Sequence, residues 1–154
     1  MAQRWRAVGV LAAALFAVNV VARLVTRLAF PDDDTAAGRV SLAMFLVIGL
    51  ILAGAAFRWG AEQPVSRWAG DLVGAVAVAL ALTVFVGPLV VGENPFGGGA
   101  GLFFAQIWLY LAATAAGVLV GYLILTALGR DYRSRQLKRY AEMKRSRPRR
   151  VVRR

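Results

Sequence analysis

The sequence predicts an all-α polytopic membrane protein: a four-transmembrane-helix up-down bundle over residues 1–129 and a basic cytoplasmic tail over residues 130–154. Three observations carry that expectation. Hydrophobic residues fill 59% of the 154 positions and the mean hydropathy is +0.61. A water-soluble chain of this size has to cover its core with polar side chains, and here long stretches contain none. Four apolar segments are long enough to cross a bilayer core of about 30 Å, which takes roughly 20 helical residues. Charge is also segregated, since twelve of the nineteen Lys and Arg residues, against two acids, lie in Arg130–Arg154.

The spans are expected at Ala7–Phe30, Val40–Phe57, Ala69–Val91 and Leu102–Leu128. In hydrocarbon the backbone has to satisfy its own hydrogen bonds, so each is expected to be a helix. Arg4 and Arg6 before the first span also suit the basic start of a secretory leader. The apolar pattern, however, runs past Ala14 to Phe30 with no small-x-small cleavage site ahead of a polar segment, which favours a retained helix. The second and fourth spans hold no charge. The third holds only Asp71, one helical turn after Arg67, which points to a local ion pair or a contact with the helix dipole. Gly87 and Pro88 predict a bend or a stop near its end. The fourth is longer than a crossing needs, so it either tilts or begins as a turn after the glycines at 97–99.

Basic residues in short loops set orientation. Arg4 and Arg6, Arg58 and Arg67, and the tail all fall on one side of a four-span arrangement. The opposite loops carry Asp32, Asp33 and Asp34 against Arg39, and Glu93 with no base. Both termini are therefore expected in the cytoplasm of a plasma (inner) membrane. Trp5, Trp59 and Trp68 fall at the cytoplasmic interface of that arrangement, where an amphipathic ring is favoured. Seventeen of the nineteen bases are Arg, and the chain is rich in Ala, Gly and Val, a bias that suggests a GC-rich bacterial source.

Chemistry is bounded by what is absent. The chain has no Cys and no His. Disulfides, Cys/His metal sites and Ser–His or Cys–His nucleophiles are excluded, and no cofactor or metal is expected. No carboxylate falls near mid-membrane, where a proton-coupled exporter needs one, and no pair of acids suggests glycoside hydrolysis. The loop at 92–101 holds five glycines but lacks the Lys and Ser/Thr of a phosphate loop, and it reads as a linker.

Four features remain as candidate sites. Asn19, Arg23 and Arg27 recur every four residues and share one face of the first span, suited to an anion, a lipid headgroup or a partner's acid. Snorkelling with pairing to Asp32–Asp34 is the plainer explanation of those arginines. Gly70 with Gly74, and Gly117 with Gly121, give small-x-x-x-small faces for close helix packing within the chain or between copies. In the tail, a short interfacial helix is expected over Asp131–Arg145, ending before Pro148, with Arg149–Arg154 disordered. Its Arg133, Arg135, Lys138, Arg139, Lys144 and Arg145 suit the anionic lipids of the cytoplasmic leaflet. Nucleic acid is disfavoured because the charge belongs to a tail with no folded reader module. The function expected is that of a non-enzymatic accessory or scaffold subunit contacting lipids, other membrane proteins or a second copy of itself. The alternative is a small oligomeric transporter or channel that binds an anion or lipid headgroup at the Asn19/Arg23/Arg27 face.

Overall fold

The computed structural model describes residues 2–146, all-helical apart from short connections and without strands. The expected break at Pro148 and disorder over Arg149–Arg154 lie outside the described residues. Helix α1 runs over Ala2–Ala29, α2 over Asp34–Glu62 and α3 over Val65–Ala81. A π-helical turn at Leu82–Val86 leads into the short α4 at Gly87–Val90, and α5 (Gly99–Ala127) and α6 (Tyr132–Ser146) follow. Four helical segments are long and apolar enough to cross a membrane, in α1, α2, the continuous run from α3 to α4, and α5.

The helices overrun the expected spans. An apolar run marks the part of a helix that lipid can cover, whereas the helix itself continues wherever propensity and capping allow. Thus α2 takes in Arg39 and Arg58. It begins where the Asp33 carboxylate accepts a hydrogen bond from the Ala36 amide at 2.9 Å, satisfying an end group that would otherwise lack a partner. It stops at Gln63–Pro64, because the residue before a proline is driven to extended backbone; Gln63 has φ −133° and ψ 153°.

Two helix ends are closed by glycines in the left-handed region. At Gly92 (φ 73°) the Gly92 amide bonds Leu89 O and the Glu93 amide bonds Pro88 O. At Gly129 (φ 60°) the Gly129 amide bonds Thr126 O and the Arg130 amide bonds Leu125 O. This paired pattern satisfies carbonyls left over at a helix end and requires a residue that tolerates positive φ.

The interior is a single apolar cluster drawn from α1, α2, α3 and α5. Leu15, Ile48, Leu52, Ala56, Ala75, Ala79 and Leu125 are fully buried within the helical assembly. Helix α2 packs most extensively on α5, while α1 packs on α2 and α3, and its backbone does not come close to that of α5. The α2–α5 crossing is close because it is built from small residues. A Cβ placed on Gly117 would lie 2.7 Å from Gly49 Cα, and one on Gly121 would lie 2.6 Å from Ala53 Cα. The outward faces remain apolar: Leu42, Leu46 and Leu50 of α2 and Leu119 and Leu123 of α5 are exposed, and Trp108 is 71% exposed. Such surfaces cost free energy in water and none in hydrocarbon.

Near the basic end, Arg4 of α1 pairs with Asp71 of α3, its Nε at 2.7 and 2.9 Å from the two carboxylate oxygens. The expected Arg67 pairing is not formed. Asp71 faces α1, where a bidentate guanidinium contact is available, and that pair ties together two helices rather than one turn. At the tail, α6 covers the stretch expected to be helical, with Leu137, Tyr140 and Met143 exposed among its bases.

Candidate functional site

Asn19 and Arg23 of the polar stripe turn inward, whereas Arg27 is exposed. Asn19, ten residues before the end of α1, lies about 15 Å below that end, and Arg23 about 9 Å below it, at about 1.5 Å per residue. Asn19 is 2% exposed. Its amide oxygen accepts a hydrogen bond from Arg23 Nε at 3.1 Å, and its amide nitrogen lies 3.2 Å from Met44 Sδ of α2. The four-residue spacing makes the first contact possible, because side chains at i and i+4 stack along one face. One turn further, the Thr26 hydroxyl bonds back to the Ala22 carbonyl at 3.0 Å, so it needs no outside partner.

Room for this stripe comes from the third span. A Cβ on Gly87 would stand 3.0 Å from Asn19 Oδ1 and 3.1 Å from Arg23 Nε. The absent side chain there lets the two polar groups lie against α4. Pro88 follows immediately. It has no N–H to donate, and the π-helical turn before it absorbs the mismatch between the proline ring and a regular α-helix. Within that turn the Thr83 hydroxyl is buried with no hydrogen-bond partner among the described residues. Gly92 then reverses the chain. Its Cα side is covered by Arg27, whose Nη1 would sit 3.3 Å from an added Cβ. That reversal brings Glu93 over the stripe, where its carboxylate lies 3.7 Å from Arg23 Nη1.

These groups line a cavity of about 740 Å³. Its walls are α1 (Asn19, Arg23, Arg27), α2 (Ser41, Met44, Phe45), α5 (Gln106, Leu109) and the 91–93 turn. Helices α1 and α5 both line it, and their backbones do not approach closely. At its mouth stand Asp33, Asp34 and Glu93, all exposed. At its floor the walls close: Leu15, one turn below Asn19, and Ile48, one turn beyond Met44, are sealed in the core. On α1 and α2 the cavity lining therefore ends at Asn19 and Met44–Phe45, above this buried core.

The Arg23 side chain is 21% exposed and its acid is Glu93, which is 62% exposed, rather than Asp32, Asp33 or Asp34. Arg27 has no ion-pair partner among the described residues, although it shares the cavity with Asp33 and Asp34. Met44, Gly87, Ser41 and Gln106 also belong to this site but carried no spacing signal of their own. Glu93 stood out in the sequence only as a lone acid beyond the third span. No cluster of three acidic residues able to hold a metal ion occurs among the described residues.

The remaining candidates lie elsewhere. Gly117 and Gly121 form the α2–α5 crossing. Gly70 and Gly74 have open space where a Cβ would stand. Arg133, Arg135, Lys138, Arg139, Lys144 and Arg145 lie exposed on α6, far along the chain from the stripe. Arg133 also borders a second cavity of about 370 Å³ with Gln63, Tyr122 and Asp131. Asp131 precedes α6. Hydrogen bonds from the Ser134 side chain and from backbone amides hold its carboxyl below the usual range, and the Ser134 amide reaches it at 3.2 Å. Comparison with protein-family models, curated proteins and solved structures found no match to this chain.

Proposed function

We propose that the chain is a non-enzymatic, multi-pass subunit of a bacterial plasma membrane that holds an anionic lipid headgroup or similar phosphate-bearing group in the cavity at Asn19, Arg23 and Arg27. In this reading the four spans form an up-down bundle with both termini in the cytoplasm, and the cavity opens to the outer face. The basic α6 lies on anionic lipids of the cytoplasmic leaflet, each base near that surface contributing about 1 kcal/mol. The observation that carries the proposal is that Asn19, Arg23 and Arg27 line one cavity, with Asn19 buried, Arg23 half-buried and Arg27 exposed. A guanidinium in a partly dry cavity attracts a phosphate more strongly than one in water, and its planar fork suits phosphate oxygens.

The buried core beyond Asn19 and Met44 favours binding over conduction through a single chain. A transporter would need a second copy or a rearrangement to open the path below Asn19. The open Gly70/Gly74 face of α3 is where a second copy or another membrane protein would approach most closely, which keeps the scaffold role within the same proposal.

The test is lipid retention. The protein is purified in mild detergent, and bound phospholipid is measured by native mass spectrometry for the parent, Arg23→Leu and Arg27→Leu. The expected result is loss of a specifically bound phospholipid, larger for Arg23→Leu because Arg23 is deeper and is bonded to Asn19. Equal retention by all three would remove the site. Orientation is tested separately. With no native Cys, single cysteines at Thr35 and Ser66 report without background, and Thr35→Cys is expected to label from outside and Ser66→Cys only after permeabilisation.

A further inference from the structure

We propose that the occupant of this cavity is a zwitterion: an ammonium-bearing phosphodiester of the phosphatidylethanolamine type, with its phosphate on Arg23 and Arg27 and its ammonium among Asp33, Asp34 and Glu93. This rests on the binding role proposed above and names the ligand class. Two guanidiniums and three carboxylates line the same cavity. A site for a simple anion gains from the first set and loses to the second, because a like charge at close range repels in the same way that an opposite charge attracts. A zwitterion meets both sets with the favourable sign.

The charges are also ordered by depth. Arg23 and Arg27 lie on the wall below the end of α1, whereas Asp33 and Glu93 belong to the turns at the mouth and Asp34 to the first residue of α2. A phospholipid inserted from that side presents the same order, ammonium outermost, phosphate next and hydrocarbon deepest. At the level of Asn19, Phe45 and Leu109 add apolar lining suited to the first carbons of an acyl chain. The charged groups have capacity to spare. The Arg23–Glu93 contact is a single long one at 3.7 Å. Asp33 uses only Oδ1 for its helix cap. The volume of about 740 Å³ lies within the range of about 300–1,000 Å³ usual for small-molecule sites.

The experiment uses the full chain in nanodiscs of equal phosphatidylethanolamine and phosphatidylglycerol, transferred to detergent, with the retained lipid identified by native mass spectrometry. The parent is expected to retain phosphatidylethanolamine over phosphatidylglycerol by about tenfold, equivalent to about 1.4 kcal/mol. The triple variant Asp33→Asn/Asp34→Asn/Glu93→Gln is expected to lose that preference. Its replacements are isosteric, and Asn at 33 still caps α2. Arg23→Leu/Arg27→Leu is expected to lose both lipids. Asp32→Asn, which removes a nearby charge outside the cavity lining, is expected to change nothing. If Asp32→Asn abolishes the preference as fully as the triple variant does, general surface charge explains it and the zwitterion assignment fails. If the parent retains both lipids equally while the double Arg variant loses both, the assignment also fails but the phosphate site stands. If the double Arg variant retains lipid like the parent, both readings fail. The source of the ligand is separated by competition with soluble glycerophosphoethanolamine. Displacement of bound phosphatidylethanolamine at millimolar concentration supports recognition of the headgroup alone, and retention supports recognition of the lipid.

Discussion

The α2–α5 crossing gives the most direct quantitative test of the architecture. Gly121→Ala adds a methyl that would stand 2.6 Å from Ala53 Cα and 2.7 Å from Ala53 C. Ordinary carbon contacts lie at about 3.5–4.0 Å, so the helices have to separate locally by about 1 Å. The Ala53 carbonyl oxygen is closer still, and all three atoms are backbone and cannot rotate away. Overpacking of this kind costs about 1–3 kcal/mol, and separation also forfeits dispersion contacts along α2 and α5, which drive helix association in lipid. Gly117→Ala, 2.7 Å from Gly49 Cα, belongs to the same class. Gly70→Ala and Gly74→Ala meet nothing within 4 Å. They should be neutral, or stabilising by up to about 1 kcal/mol, because alanine is the better helix former. The assay is thermal unfolding in detergent followed by fluorescence-detected size exclusion. At about 2–4 °C per kcal/mol for a chain of this size, Gly121→Ala should melt roughly 2–12 °C below the parent. Ala53→Gly should not rescue it, because the clash is with the Ala53 backbone rather than its methyl. Equal melting of Gly121→Ala and Gly70→Ala, or full rescue by Ala53→Gly, would refute the close crossing.

Three further outcomes follow from the same geometry. Gly87→Ala should disturb the stripe without replacing its residues: the new methyl would stand 3.0 Å from Asn19 Oδ1 and 3.1 Å from Arg23 Nε, so these groups must give by a few tenths of an ångström, and bound phospholipid should fall while expression is kept. Charge reversal of Arg4→Asp should destabilise only slightly, since Arg4 is exposed and solvent screens the pair, and the double variant Arg4→Asp/Asp71→Arg should recover most of the loss in the same melting assay. For α6, the Asp131 carboxyl is held below its usual range, so its contribution to the helix cap is complete above the ordinary carboxylate value of 3.8 and disappears as pH falls through the depressed one. Protease sensitivity at α6 should therefore rise only in that acidic window, and Asp131→Ala should show the raised sensitivity already at neutral pH.

The four long helices were legible because apolar runs of this length have few alternatives, and the inward face of α1 was legible as a spacing of four. Partners were harder to read. Arg4 and Asp71 are 67 positions apart, and the sequence offered Asp71 a nearer base in Arg67. A charge pairs with whatever group its face meets, and faces are set by helix rotation and packing rather than by distance along the chain. The same limit hid Glu93 as the partner of Arg23. Its position depends on the left-handed turn at Gly92, and Asp32–Asp34, nearer in sequence, looked equally available. Gly117 and Gly121 were visible as a motif, yet the identity of the opposing surface, Gly49 and Ala53, was not. A small-residue face specifies close approach without specifying to what.

The π-helical turn connects these points. Gly87 and Pro88 signal a bend or a stop but not its form, and a single wider turn at Leu82–Val86 rotates everything after it. With a regular helix, the position occupied by Gly87 would face elsewhere and a side chain would meet Asn19. With the wider turn, the glycine and the proline that ends the irregularity are adjacent, and the smallest residue stands where Asn19 and Arg23 need space. An arginine near the bilayer centre costs about 2.5–3.5 kcal/mol on insertion scales. The cavity reduces that cost by giving Arg23 an amide at 3.1 Å and a carboxylate at 3.7 Å in place of hydrocarbon. Pro88→Ala tests the link directly. Restoring an N–H at 88 permits a regular α-helix, which rotates Gly87 away from the stripe. The variant should melt no lower than the parent yet lose bound phospholipid as Arg23→Leu does. Retained phospholipid in a stable Pro88→Ala protein would show that the wider turn is not what makes room for the stripe.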